Sequence, residues 1–99
     1  MTLKILHLHV KKKYFDDVAN GKKEEEYRSD NDYWKKKLNQ DYDLIKYHCG
    51  YPKKTDKSRT MVFHWNNSFK KFITHELFGE KVIVNCIPLN NTTRLKSMM

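Results

Sequence analysis

Gly21-Lys22-Lys23-Glu24-Glu25-Glu26-Tyr27-Arg28 is the stretch from which the rest of the chain is read. It follows Lys13-Tyr14-Phe15-Asp16-Asp17-Val18-Ala19-Asn20, where Phe15, Val18 and Ala19 recur at helical spacing and predict a helix of about two turns. Gly21 stands where a helix stops, because glycine enters the left-handed cap conformation without steric cost. The residues after it are expected to be extended. Alternate residues of an extended chain share a face, so Glu24, Glu26 and Arg28 are expected on one side and Lys23, Glu25 and Tyr27 on the other. A strand this dense in charge of both signs is either a solvated edge or the wall of a polar cleft.

Upstream, Lys4–Val10 reads as the first strand, with Leu6, Leu8 and Val10 on one face and Leu3, Ile5, His7 and His9 on the other. Lys11-Lys12-Lys13 then opens the helix, a poor place for cations beside the positive end of a helix dipole; the mismatch hints that the lysines are kept for a ligand, though a solvated loop is the favoured reading. Downstream, Ser29-Asp30-Asn31-Asp32 is rich in N-cap residues and predicts a second short helix through Leu38, packed through Tyr33, Trp34, Lys37 and Leu38. Tyr42–Cys49 is a third strand, ended by Gly50-Tyr51-Pro52, and Lys53–Ser58 is a basic loop. Arg59–Trp65 is rich in β-formers, Asn66-Asn67-Ser68 is a turn, and Phe69–Phe78 is extended with Phe69, Phe72 and Ile73 available for burial. Gly79-Glu80 turns the chain into a last strand over Lys81–Leu89. Residues 1–90 thus form one small domain, and residues 91–99 are expected to fray. About six strands and two short helices predict an α+β fold, with a mostly antiparallel, strongly bent sheet that is closed or nearly closed.

The chain carries 20 basic and 12 acidic residues, a net charge of +8, which argues for a polyanionic partner and says nothing of fold. The excess is uneven: residues 1–50 hold 11 basic and 9 acidic side chains, residues 51–99 hold 9 and 3. Aromatic residues interleave with the charge, a composition suited to single-stranded nucleic acid. Hydrophobic residues make up 38% of the chain, enough for a single core. No run of 18 apolar residues and no signal-like N-terminus occurs, so a cytoplasmic protein with no membrane partner is expected. Cys49 and Cys86 are isolated, outside any C-x-x-C pair, and read as reduced thiols. His7 and His9 share a strand face but have no third ligand nearby in sequence, which favours a polar strand face over a metal site.

Gly21-x-Lys23-x-x-Glu26-x-Arg28, set between a strand, a helix and a second strand, resembles the G-x-K-x-x-E-x-R signature of ASCH domains, members of the PUA-like superfamily. The resemblance runs from about Leu3 to Leu89, and Gly50-Tyr51-Pro52 resembles a loop of a phage and bacterial branch of that family. It implies a small PUA-like β-barrel with helices at its openings, binding RNA or a nucleotide in a cleft beside the signature. Lys23, Arg28, Tyr51, Lys53, Lys54, Lys57 and Arg59 would then contact nucleic acid, RNA first and DNA as second candidate, with no cofactor and no metal. Some relatives are amidohydrolases that remove the acetyl group of 4-acetylcytidine, and others are ribonuclease-like. In the amidohydrolases the lysine lies in a K-x-x-T pattern, whereas here the fourth position is Glu26. If the chain is an enzyme, Lys23 and Glu26 are its catalytic candidates: a lysine in a partly dry cleft serves as base or nucleophile, and a carboxylate beside it orients it or moves a proton. Glu76 is a candidate for a second carboxylate. Two other readings stay open. Lys23, Glu26 and Arg28 can be an ion-pair network that serves the fold alone. The domain can also be a phage-type protein-interaction module that mimics or blocks a nucleic-acid binder.

Overall fold

Leu6 and Leu8 turn to one side of the first strand, and His7 and His9 turn to the other. That alternation decides which face of the sheet becomes core. The computed structural model describes residues 2–53, 56–74, 81–89 and 94–95, with Lys57, Arg94 and Leu95 described in backbone only. In chain order the elements are β1 (Ile5–Val10), α1 (Lys12–Ala19), β2 (Glu25–Ser29), α2 (Asp32–Leu38), β3 (Leu44–Cys49), a 3-10 turn (Lys57–Arg59), β4 (Thr60–His64), β5 (Phe69–Thr74), β6 (Lys81–Pro88) and β7 (Arg94–Leu95). The fold is α+β, with two helices, six strands of five residues or more, and the two-residue β7.

The strands form two sheets, ordered β1-β3-β4-β7 and β2-β6-β5. Four of the five pairings are antiparallel, and β1 with β3 is parallel, Leu8 lying opposite Tyr47 and His9 opposite His48. A parallel pair needs a long crossover, and the α1-β2-α2 segment provides it. No backbone ladder among the described residues joins the two sheets. Within the segment read as a frayed tail, Arg94–Leu95 pairs with Val62 and Phe63; the rest of that tail, the Gly79-Glu80 turn and the end of the Phe69–Phe78 strand lie outside the described residues.

The core lies between the sheets and under α1. Leu6, Leu8, Ile45, Tyr47, Phe63 and Ile87 are each at most 1% exposed. Phe15 and Val18 of α1 and Leu38 of α2 close it. The Tyr47 ring lies parallel to Phe15 and edge-on to Phe63, at centroid distances of 6.1 and 6.4 Å. Gly21, at φ 74, ends α1, and the N–H groups of Lys22 and Lys23 fold back to donate to Asp17 O at 2.8 and 3.1 Å. Asn31 caps α2, its Oδ1 accepting from Trp34 N at 2.9 Å.

Two burial expectations fail. Phe69 and Phe72, expected inside, are 48% and 65% exposed. They lie on β5, the outer strand of its sheet, where the ladder to β6 fixes the backbone but no described element covers the side chains. Tyr33, placed on the packed side of α2, is 62% exposed, while Trp34 and Leu38 pack inward. A helix of seven residues has room for one apolar stripe, and Leu38 at i+4 from Trp34 defines it.

Leu8→Ala removes a buried side chain from the middle of β1 and is expected to cost about 2–5 kcal/mol. Urea unfolding followed by circular dichroism measures this, and a loss under about 1 kcal/mol would show that β1 does not line the core.

Candidate functional site

Glu26 is the second residue of β2 and one of two buried polar residues among those described, at 5% exposure. Its register partner is Ile87, so its side chain turns to the core side of the sheet. Each carboxylate oxygen is taken up. Oε1 lies 3.2 Å from Lys23 Nζ and accepts a hydrogen bond from the Tyr47 hydroxyl at 3.4 Å. Oε2 accepts from Arg28 Nη2 at 2.6 Å. Burial, with the Glu26 charge as the second cause, holds the Tyr47 phenol well above its ordinary range, so Tyr47 stays a donor.

Lys23 does not lie on the face expected for it. The alternation of an extended chain would have put it opposite Glu26, but the strand begins only at Glu25. Lys23 belongs to the turn pinned by Asp17 O, and from there its ammonium reaches the carboxylate. It also lies over the rings of Tyr14 and Tyr27, 4.7 and 5.5 Å from their centroids, contacts that attract a cation to the ring face.

Arg28 spans the two sheets. Its guanidinium stands 4.9 Å from the centre of Trp34, and its Nη2 also donates to the carbonyl of His9 on β1, at 3.4 Å. Arg28 Nε is buried and has no partner among the described residues. An arginine carries five N–H groups in a planar fork, and the two contacts described for Arg28 draw on a single nitrogen. Nε is closed off from solvent, so the fork's outer N–H groups, on a side chain 20% exposed, are the ones that can meet an acceptor on a ligand.

Around this network lies a cleft of about 400 Å³, lined by His9, Val10, Lys11 and Tyr14 from the β1–α1 corner and by Lys23, Glu26, Tyr27 and Arg28 from the signature stretch. A wider hollow of about 660 Å³ lies on the far side of Lys23 and Tyr27, bordered by Glu24, Glu25, Asn66 and Phe69. Two carboxylates, Glu24 and Glu25, stand against two lysines, Lys22 and Lys23, in its wall, so its lining has no positive excess to draw an anion. Glu25 is already held by Lys71 at 2.9 Å and by the Tyr27 hydroxyl, which with the Lys71 contact foremost lowers its carboxyl below the usual range. Cys86, near Glu25, is pushed up to about 12 chiefly by burial and is no nucleophile.

The other expected contacts divide. Tyr51 is 85% exposed and stacks on His9, with centroids 4.2 Å apart, so the Gly50-Tyr51-Pro52 corner adjoins the cleft. Gly50, at φ 65, makes this corner, and Arg59 Nη2 approaches it so closely that an added Cβ would stand 3.3 Å away. Lys53 is exposed just beyond. Lys54, the Lys57 side chain and Glu76 lie outside the described residues. Lys70 pairs with Asp30 and Lys71 with Glu25, so these two belong to the other sheet's ion pairs.

Sequence reading weighed Lys11 only as one of three lysines at a helix start, between a ligand contact and a solvated loop, and missed Tyr14, His9, Tyr47 and His48. For Lys11 a signal existed, since lysines at a helix start are unfavourable and call for a reason. For His48 none did, because only the parallel register puts it beside His9. His7, His48, His9 and Tyr51 form one column of rings, successive centroids being 5.3, 4.7 and 4.2 Å apart with planes within 19°. His7 Nδ1 is 3.0 Å from His48 Nε2, His48 Nδ1 is 2.8 Å from Thr60 Oγ1, and His9 Nδ1 is 2.8 Å from Gly50 O.

No helix among the described residues is long and apolar enough to cross a membrane. No family model matches the chain, and neither a curated protein nor a solved structure matches it.

Burial, then the neighbouring His9, His7 and Lys46, lower His48 to about 4, and burial with Lys46 foremost among the charges lowers His7 as well. The unfolded chain binds a proton at these rings below about 6.5, where the folded chain still refuses it. Stability is therefore expected to fall as pH drops from about 6.5 towards 4. His48→Gln should flatten that fall between pH 6.5 and 4.5 in melting curves, and an unchanged slope would exclude the stacked, neutral His48.

Proposed function

We propose that the chain is an ASCH-type, PUA-like domain that binds single-stranded RNA or a nucleotide in the cleft formed by Lys11, Tyr14, Lys23, Tyr27 and Arg28. The observation that carries this is the state of Glu26. It is the carboxylate in the cleft wall, and Lys23, Arg28 and Tyr47 already occupy it. Its negative charge is offset by two cations, and Lys11 adds a third positive group beside the rings of Tyr14 and Tyr27. Phosphate needs donors and positive charge, and a base needs an aromatic face. A volume of about 400 Å³ is in the range that holds one nucleotide unit. In the PUA-like arrangement the two sheets would be parts of one bent barrel, with the Glu26 network at its mouth.

The same observation ranks the hydrolase reading below the binding reading. In the deacetylating relatives a threonine stands at the position of Glu26. Here that position carries a carboxylate bound on both oxygens to groups of the fold, which suits a structural support for the cleft better than a group poised to move a proton. A protein-interaction module has no observation of its own in its favour.

Titration of a short single-stranded RNA at stepped salt tests the proposal. Roughly four to six contacts to phosphate predict that log affinity falls against log salt with a slope of about −3 to −4. Lys23→Ala should weaken binding while Lys23→Arg keeps most of it, because arginine keeps the charge. Arginine cannot act as a base, so turnover of 4-acetylcytidine by the wild type, lost in Lys23→Arg and reduced about 10²- to 10⁴-fold in Glu26→Gln, would establish the hydrolase instead. No RNA binding at low salt would remove nucleic acid as the partner.

A further inference from the structure

The column His7–His48–His9–Tyr51 is a built feature that the cleft alone does not use. Its planes are within 19° of parallel from ring to ring, and each histidine is pinned by a hydrogen bond: His7 to His48, His48 to Thr60, His9 to Gly50 O. It runs across β1 and β3 on the face opposite Leu6, Leu8 and Tyr47. One end is Tyr51, whose ring has one face on His9 and is otherwise in solvent, at 85% exposure. A large aromatic ring stacked on one face and left this bare buries little area for its own chain. Its open face lies nearly parallel to the histidine rings and is a flat surface on which a base can stack.

His9 connects this surface to the cleft. Its ring carries Tyr51, its carbonyl accepts from Arg28, and it lines the cleft with Lys11. Arg59 stands against Gly50, immediately before Tyr51, and Lys53 is exposed two residues after it. Positive charge therefore adjoins the corner that carries the open ring. The low proton affinity of His48 and His7 keeps those two rings uncharged in neutral solution, so the column does not add a charge that would disfavour stacking among its own rings.

We infer that Tyr51 is a second base-binding position, which stacks the nucleobase next to the nucleotide held in the cleft, so that the ligand is a single strand of at least two nucleotides. This rests on nucleic-acid binding in the cleft and narrows it. A lone nucleotide cannot use both places. A duplex cannot offer an unstacked base face to Tyr51, because its bases are stacked on one another.

The probes are adenosine monophosphate, a single-stranded RNA hexanucleotide carrying 2-aminopurine, and the same hexanucleotide annealed to its complement. Tyr51 is exposed, so its substitution leaves folding intact, which a melting curve checks. The single strand is expected to bind more tightly than the mononucleotide and the duplex, with quenched 2-aminopurine fluorescence. Tyr51→Ala should weaken the single strand roughly 5- to 150-fold and relieve the quenching, Tyr51→Phe should preserve both, and neither should change the affinity for the mononucleotide. Equal single-strand affinity in wild type and Tyr51→Ala, with Lys23→Ala still weakening it, would overturn the second position and leave the cleft standing. No binding of any probe by the wild type would overturn both.

Discussion

A carboxylate taken almost wholly out of water is the constraint on which this structure depends. Glu26 sits on the core side of β2, where a charge costs several kcal/mol unless it is paired and hydrogen-bonded. Its partners come from three places: Lys23 from the turn after α1, Arg28 from two residues further along β2, and Tyr47 from β3 in the other sheet. Arg28 then reaches β1 through the His9 carbonyl. No ladder among the described residues connects the sheets, and this network and the apolar core between them bridge the gap. The cleft opens where the network meets solvent. Its chemistry follows from the pairing: once the carboxylate is satisfied, what remains toward the ligand is positive charge, arginine donors and tyrosine faces.

The division of the basic residues gains meaning from this geometry. Counted along the chain, the positive excess lies after residue 50. In space, Lys70 and Lys71 pair with Asp30 and Glu25 on the sheet that contains β5, while Arg59 and Lys53 stay with the Gly50-Tyr51 corner beside the cleft. Lys11, from the half of the chain that is nearly balanced in charge, turns out to line the cleft. Net charge by segment therefore identifies the class of partner better than it identifies the surface that meets it.

Much of the scaffold was legible because its signals are local. Leu6 and Leu8 against His7 and His9 define the faces of β1, Gly21 ends α1 at positive φ, and Asn31 caps α2, each a property of a few adjacent residues. The site was legible in its residues and in part of its arrangement. Strand alternation alone put Lys23 and Glu26 on opposite faces, the ion-pair reading put them together, and a hydrogen-bonded turn that delays the strand brings them together. Nothing in the sequence singles out Tyr47, and only the meeting of two sheets gives its hydroxyl a partner. His48 joins His7 and His9 through a parallel pairing that periodicity does not encode, since an alternation pattern is the same in either direction. Phe69 and Phe72 show the converse: apolar residues at strand spacing do not reveal whether another layer will cover them.

The claim at the centre is that ligand and network meet in one place, the cleft around Glu26. Amide chemical shifts of the isotope-labelled protein, recorded while a short single-stranded RNA is added, test it most directly. The account predicts that the largest changes gather at His9, Lys11, Tyr14, Lys23, Arg28 and Tyr51, with β5 little affected. Changes centred on Phe69–Thr74, or none at saturating RNA, would contradict it.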